Sequence, residues 1–236
     1  PYIAYNIRKE IEFDFLEEHD DYIFLKCTQD SLKDNLKKIC IDLKEKKVSI
    51  KNMQVMAPTY LGVNGIDALN KELQNIFNPK DENKKEITYG DVTYRENDKV
   101  MQLVNMPDEN VFNGDIGFIY KIIPATISES KKTEVYVDYD GNIVKYLPKD
   151  LLKIKHGFII SIHKSQGSEF DIVIMPICFS YNRMLYKKLI YTGITRAKKK
   201  LILLGEENAF LKGIENNSEY IRKTALKEKI MNNLDN

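Results

Sequence analysis

Apolar and polar positions along this chain fall into two textures. In the first, apolar runs of strand length alternate with helical periodicities. Residues 22–27 form a short apolar run that predicts a strand. Leu32, Leu36, Ile39, Cys40 and Leu43 then recur at helical spacing, with Asp30 or Ser31 as the candidate cap. Residues 53–57 predict a second strand, ended by Pro58. Asn64 or Gly65 opens a helix with Ile66, Leu69, Leu73 and Phe77 on one face, stopped at Asn78-Pro79. Strand, helix, strand, helix is the order of a parallel α/β sheet.

The second texture begins at the charged linker 80–85. Short alternating segments follow at 100–104, 117–122 and 133–138, punctuated by Asn113-Gly114-Asp115 and by the turn 138–141. Alternation with Gly and Asn turns predicts an all-β stretch, a small barrel inserted into the α/β domain. The first texture then resumes. Residues 157–163 and 172–175 are buried-strand candidates, and a helix is predicted from about 182 to 197 with Tyr186, Ile190, Ile194 and Ala197 on one face. A strand at 201–204 and two more helices complete the reading. The expected organisation is 1–85 as the first part of an α/β domain, 86–152 as the barrel and 153–236 as the rest. No internal repeat interrupts it.

Composition changes this picture little. A chain of 236 residues that is 43% hydrophobic supports a core, and 30% charged residues give a solvated surface. No apolar run reaches the length of a membrane span. Cys27, Cys40 and Cys178 stand in no ligand spacing and read as free thiols of a reducing cytoplasm. His19, His156 and His163 are too scattered for a zinc site, so no metal is expected on the chain. Net charge is +1. Residues 141–212 nonetheless hold 13 Lys or Arg against 5 Asp or Glu, a surplus able to follow a phosphate backbone or simply to solvate a face. The first residue is Pro1, so the chain is expected to be part of a longer protein.

Two segments carry candidate chemistry. His163-Lys164-Ser165-Gln166-Gly167-Ser168-Glu169 lies between two apolar strands, where a buried strand breaks into polar residues. Ligands of α/β sheets collect at such carboxyl ends. Gly167 permits close backbone approach and Glu169 is an acceptor for a sugar hydroxyl; an ordinary polar loop fits the same residues. In the segment 189–198, Thr192, Thr195 and Arg196 are expected on one helical face opposite the apolar one. There a guanidinium near a helix end can reach a phosphate, although a lone Arg is more often solvated.

Taken together, residues 160–171 resemble helicase motif V and 189–198 resemble motif VI, in the form found in RecD-like superfamily 1 helicases. Three further stretches agree: 55–62 with 65–70 is similar to the motif IV region, and 98–102 and 111–117 resemble the signature of the inserted barrel. The resemblance spans roughly residues 50–205. It implies a RecA-like parallel sheet with helices on both faces, interrupted by a small Src-homology-3-like barrel. It places Arg196 as the arginine finger, and Gly167 and Glu169 with it at the edge of bound ATP. His163, Lys164 and Ser165 would face single-stranded DNA, with Thr59 and Tyr60 adding contacts. Leu61 departs from the family, which carries Arg or Lys there, and Asn97 stands where relatives carry Gly.

The chain contains no GxxxxGK[ST], and its acidic pairs Asp81-Glu82 and Asp108-Glu109 lie in polar stretches rather than after a buried strand. The resemblance therefore implies that ATP with Mg²⁺ is bound mainly by an N-terminal RecA-like domain of the same protein, and that this piece alone neither hydrolyses ATP nor unwinds DNA. It further implies 5′ to 3′ movement, and nuclease or helicase subunits as partners of the whole. Two alternatives remain at this point: a non-catalytic nucleic-acid-binding module, and the helicase half of a TraA-type conjugative relaxase.

Overall fold

The computed structural model describes residues 2–11 and 13–217. Helix α1 (Tyr2–Lys9) leads into β1 (Tyr22–Lys26), α2 (Leu32–Glu45), β2 (Met53–Ala57) and α3 (Ile66–Phe77). Seven short strands follow: β3 (Glu86–Tyr89), β4 (Val92–Arg95), β5 (Lys99–Gln102), β6 (Ile116–Ile123), β7 (Glu134–Tyr139), β8 (Asn142–Tyr146) and β9 (Ile154–His156). Then come β10 (Ile159–Ser161), β11 (Phe170–Ile177), α4 (Lys187–Ile194), β12 (Ala197–Gly205) and α5 (Glu207–Glu215).

Strands β1, β12, β11, β2 and β10 form a five-stranded sheet in that order, parallel throughout. A parallel sheet is covered on both faces, which is why β2 is buried at every position and is apolar except at Gln54, whose Nε2 bonds the carbonyl of Gly157 at 3.0 Å. The connections carrying α2 and α3 step across the sheet in one direction, and the connection carrying α4 steps back. Right-handed crossovers then put α2 and α3 on one face and α4 on the other. Contacts between α2 and α3, and of α4 with α1 and α5, agree. This is the expected RecA-like sheet with helices on both faces. Asn70 of α3 covers the edge strand: its amide bonds the carbonyl of Ile159 at 2.9 Å and accepts from the Ile159 N–H at 3.1 Å.

The all-β stretch folds as an antiparallel sheet, β8-β7-β6-β5-β9, beside the hairpin β3-β4. Its own core gathers Val100, Val111, Ile119, Val135, Val137 and Val144. Buried polar groups bolt it to the parallel sheet. Asp98 accepts from Gln74 Nε2, Asn78 Nδ2 and the Arg95 amide, each at 2.7 Å, and lies 3.1 Å from His156 Nε2. Lys99 next to it is fully buried, its Nζ 2.9 Å from the carbonyls of both Ile50 and Met53 and 5.7 Å from the centre of the Phe170 ring. Gln102 turns the other way and accepts from Tyr146 Oη at 2.8 Å and Tyr139 Oη at 3.3 Å.

Several expectations need correcting. The predicted helix over 182–197 is shorter, because 3-10 turns hold residues 179–184 and α4 spans only Lys187–Ile194. Ala197 begins β12, and its burial belongs to that strand. Ser31 occupies the cap position of α2, yet its hydroxyl turns back to Thr28 rather than capping. One helix follows β12, and the second expected there lies outside the described residues. Among the described residues no helix is long and apolar enough to cross a membrane, and no acidic, His and Cys cluster could hold a metal ion.

Candidate nucleotide edge and nucleic-acid track

The predicted site residues separate onto the two edges of the parallel sheet. Ala57 of β2 pairs with Ser161 of β10, so the loops leaving these strands lie side by side at the carboxyl edge. They carry Thr59 and Tyr60 on one and His163 and Lys164 on the other. The second loop then runs back across the sheet. Phe170, which starts β11, pairs with Ala197, which starts β12. Glu169 and Arg196 immediately precede this pair, so they lie together at the amino edge. Sequence reading put the whole segment 163–169 at a carboxyl end; only its first half is there.

At the amino edge the Phe170 amide donates to the Arg196 carbonyl at 2.9 Å. The Arg196 side chain is half-buried and held at three points. Its Nε donates to the Thr192 carbonyl, Nη1 to the Ser168 carbonyl and Nη2 to Thr195 Oγ1, all at 3.2 Å. Arg196 is thus not on a shared helical face with the threonines; it follows the helix end, and Thr192 and Thr195 position it. A guanidinium has five N–H donors. With three engaged, one on each Nη remains, a pair suited to two oxygens of one phosphate. Gly167 is exposed with φ +90, and a Cβ there would meet nothing within 4 Å, so the backbone conformation rather than space calls for glycine. Glu169 is exposed and pairs with Lys198 at 3.4 Å. Beside these residues a cleft of about 630 Å³ opens against the barrel, lined among others by Lys51, Asp115, Phe118, Ser168 and Glu169.

At the carboxyl edge His163 is exposed, and Lys164 reaches the barrel turn by bonding Asn113 Oδ1. Ser165 does not face solvent. It is fully buried, and its hydroxyl donates to the Ile162 carbonyl at 2.7 Å, closing the 3-10 turn that sets the loop. The polar run hid this, since a hydroxyl can be spent on its own backbone. Tyr60 is half-buried under the ammonium of Lys155, 4.9 Å from its ring centre. Tyr181, one of three aromatics near these loops, is core, with its hydroxyl 2.5 Å from the Asn64 carbonyl. Phe112 is exposed, its amide bonding Asp115 Oδ2 at 2.7 Å in the barrel turn.

Sequence reasoning missed the buried set Gln74, Asn78, Asp98, Lys99 and His156. The signal was present in the charged residues Asp98 and Lys99 heading an otherwise apolar strand.

A parallel sheet with a barrel inserted before the loop 162–169, and with an arginine beside that loop, is the arrangement that the resemblance to superfamily 1 helicases implies. Residues 69–139 match the SH3 domain family of ATP-dependent RecD-like DNA helicases, and residues 156–204 match the UvrD-like helicase C-terminal domain. The chain is 33% identical over 178 residues to the ATP-dependent RecD2 DNA helicase of Deinococcus radiodurans, covering 75% of this chain and 23% of that protein. It is 27% identical over 185 residues to the RecBCD enzyme subunit RecD of Buchnera aphidicola subsp. Schizaphis graminum, covering 75% and 28%. A solved structure of two coordinating Pif1 helicases at forked double-stranded DNA shares the fold with TM-score 0.50 at 15% identity, over 99% of this chain and 51% of that one. The chain thus resembles the RecD-like superfamily 1 helicases over both its barrel and its parallel sheet, and it spans about a quarter of the length of these curated relatives.

Proposed function

We propose that this chain is the barrel-bearing second motor region of an ATP-dependent DNA helicase that moves 5′ to 3′ on single strands. Arg196 acts as the arginine finger toward the γ-phosphate of ATP held by a partner RecA-like domain of the same protein, which also supplies the P-loop and Mg²⁺ ligands. Gly167 and Glu169 border the nucleotide. Thr59, Tyr60, His163 and Lys164 form part of the DNA track, with Ser165 as internal support. The observation that carries this reading is the guanidinium of Arg196, fixed by three bonds at the edge where β11 and β12 begin, with two donors left over. Bound ATP would supply the transferable phosphoryl group. The chain's part is to place positive charge where negative charge develops, at no cost in rearrangement.

By itself the chain is expected to be inactive as an ATPase, and the relatives' names make nuclease and helicase subunits the partner class to test. In the longer protein carrying this chain, Arg196→Ala should lower DNA-stimulated ATPase by about 10³-fold or more. Nucleotide binding, read by fluorescence of a labelled ATP analogue, should persist. Wild-type turnover in that variant would refute the finger.

A further inference from the structure

We propose that Leu61 and Val63 form an apolar contact for the unpaired bases of a single nucleic-acid strand; this rests on the track assigned above. Both side chains stand in the loop between β2 and α3 and are 85% and 72% exposed. The loop is not slack. The Gly65 amide bonds the Gly62 carbonyl at 3.0 Å, Ile66 N bonds Thr59 O at 3.0 Å, and Asp67 N bonds Tyr60 O at 3.2 Å. Asn64 anchors it to the Gln29 carbonyl at 2.9 Å, and Tyr181 Oη closes on Asn64 O at 2.5 Å. Gly65 is required there, because a Cβ would stand 2.4 Å from the Tyr60 carbonyl. The fold thus spends buried hydrogen bonds on holding two large apolar groups in water, and they lose little conformational freedom on being covered.

The surroundings indicate what covers them. The neighbouring loop presents His163, and Lys155 stands over Tyr60 in the same loop as Leu61. Apolar side chains beside cations match a single strand, which offers bare base faces along an anionic backbone; a duplex hides those faces. Leu61 and Val63 carry no hydrogen-bonding group, so the contact is to base faces rather than phosphate and tolerates any sequence.

The test compares a mixed-sequence DNA oligomer with an abasic oligomer of equal length, by fluorescence anisotropy of the whole chain over a range of salt. The wild type should bind the base-bearing oligomer more tightly. In the double variant Leu61→Ala, Val63→Ala that preference should shrink about fivefold, while affinity for the abasic oligomer and the salt slope stay unchanged. The slope reports phosphate contacts only. Both side chains are exposed, so the thermal midpoint should not move. Equal wild-type binding of the two oligomers, a preference that survives in the variant, or parallel loss on both oligomers would overturn the base contact alone. Wild-type binding of neither oligomer would overturn the DNA track itself, and the contact with it.

Discussion

Lys99 gives the sharpest test of how the barrel is joined to the motor sheet. Its ammonium is enclosed by protein, and burial pulls its pKa from 10.5 down to about 7. The two carbonyls it meets fit a neutral amine, which has two N–H donors. A folded pKa below the unfolded one means that the unfolded chain binds the extra proton between pH 7 and pH 10.5. Folding stability from this residue must therefore rise with pH through that window, at up to about 1.4 kcal/mol per unit. Near pH 7 the folded amine is half protonated, which trims the slope, so the gain between pH 7 and pH 9 is about 2 kcal/mol.

Other groups titrate in the same range; burial raises the thiols of Cys27 and Cys178, for example, and their contribution falls as pH rises. The informative quantity is the difference between the wild type and Lys99→Met, whose side chain has similar length and no charge. Urea denaturation of both proteins at pH 7 and pH 9 gives that difference directly. The wild type should gain about 2 kcal/mol on Met between the two values, with m unchanged. A difference independent of pH would mean that the amine stays charged in the fold, and the burial argument would fail.

Two further outcomes follow from the same junction and from the motif IV loop. Asp98→Ala strands the donors of Gln74, Asn78 and Arg95, and should cost about 3 kcal/mol or more, seen as a fall in the thermal midpoint of about 6 °C or more; a fall under 2 °C would show the cluster to be dispensable. Gly65→Ala should destabilise by about 2 kcal/mol through its clash with the Tyr60 carbonyl, whereas Gly62→Ala, at φ +95 with open space around it, should cost only about 1 kcal/mol; urea midpoints in the reverse order would refute the loop geometry.

The parallel sheet was legible because burial on both faces favours apolar residues, as at Met53, Val55, Met56 and Ala57, with Gln54 the one buried polar side chain of that strand. The barrel was legible from its turns, such as Asn113-Gly114-Asp115. Two failures have physical causes. Helical periodicity ran on past the true ends of α4 because a 3-10 turn and the strand start at Ala197 bury residues at compatible spacing. The junction was missed because pattern reading puts charged residues in water, and the side chains that satisfy Asp98 come from segments distant in sequence, among them α3 and β9. Five motif-like stretches could be read from the sequence, two of them in the barrel, yet the division of the other three between two edges of the parallel sheet depends on strand register.

That division bears on how the region would work as a motor. Loop 162–169 leaves the carboxyl edge after β10 and reaches the amino edge before β11. Strand β11 has eight residues, so the edges stand on the order of 25 Å apart. The loop is fixed at its start by Ser161 and Ser165, each bonded within its turn, and at its end by the Ser168 carbonyl under Arg196. A span tied at both ends transmits displacement better than one free between them. Movement of Arg196 by a nucleotide would pull on Ser168 and, through the same few residues, on Lys164 and His163. On this reading Ser165→Ala, which loosens the start of the span at the carboxyl edge without touching Arg196, should leave ATP analogue affinity of the longer protein within about twofold while weakening the dependence of DNA affinity on nucleotide. Unchanged coupling in that variant would assign the transmission to the rigid sheet instead.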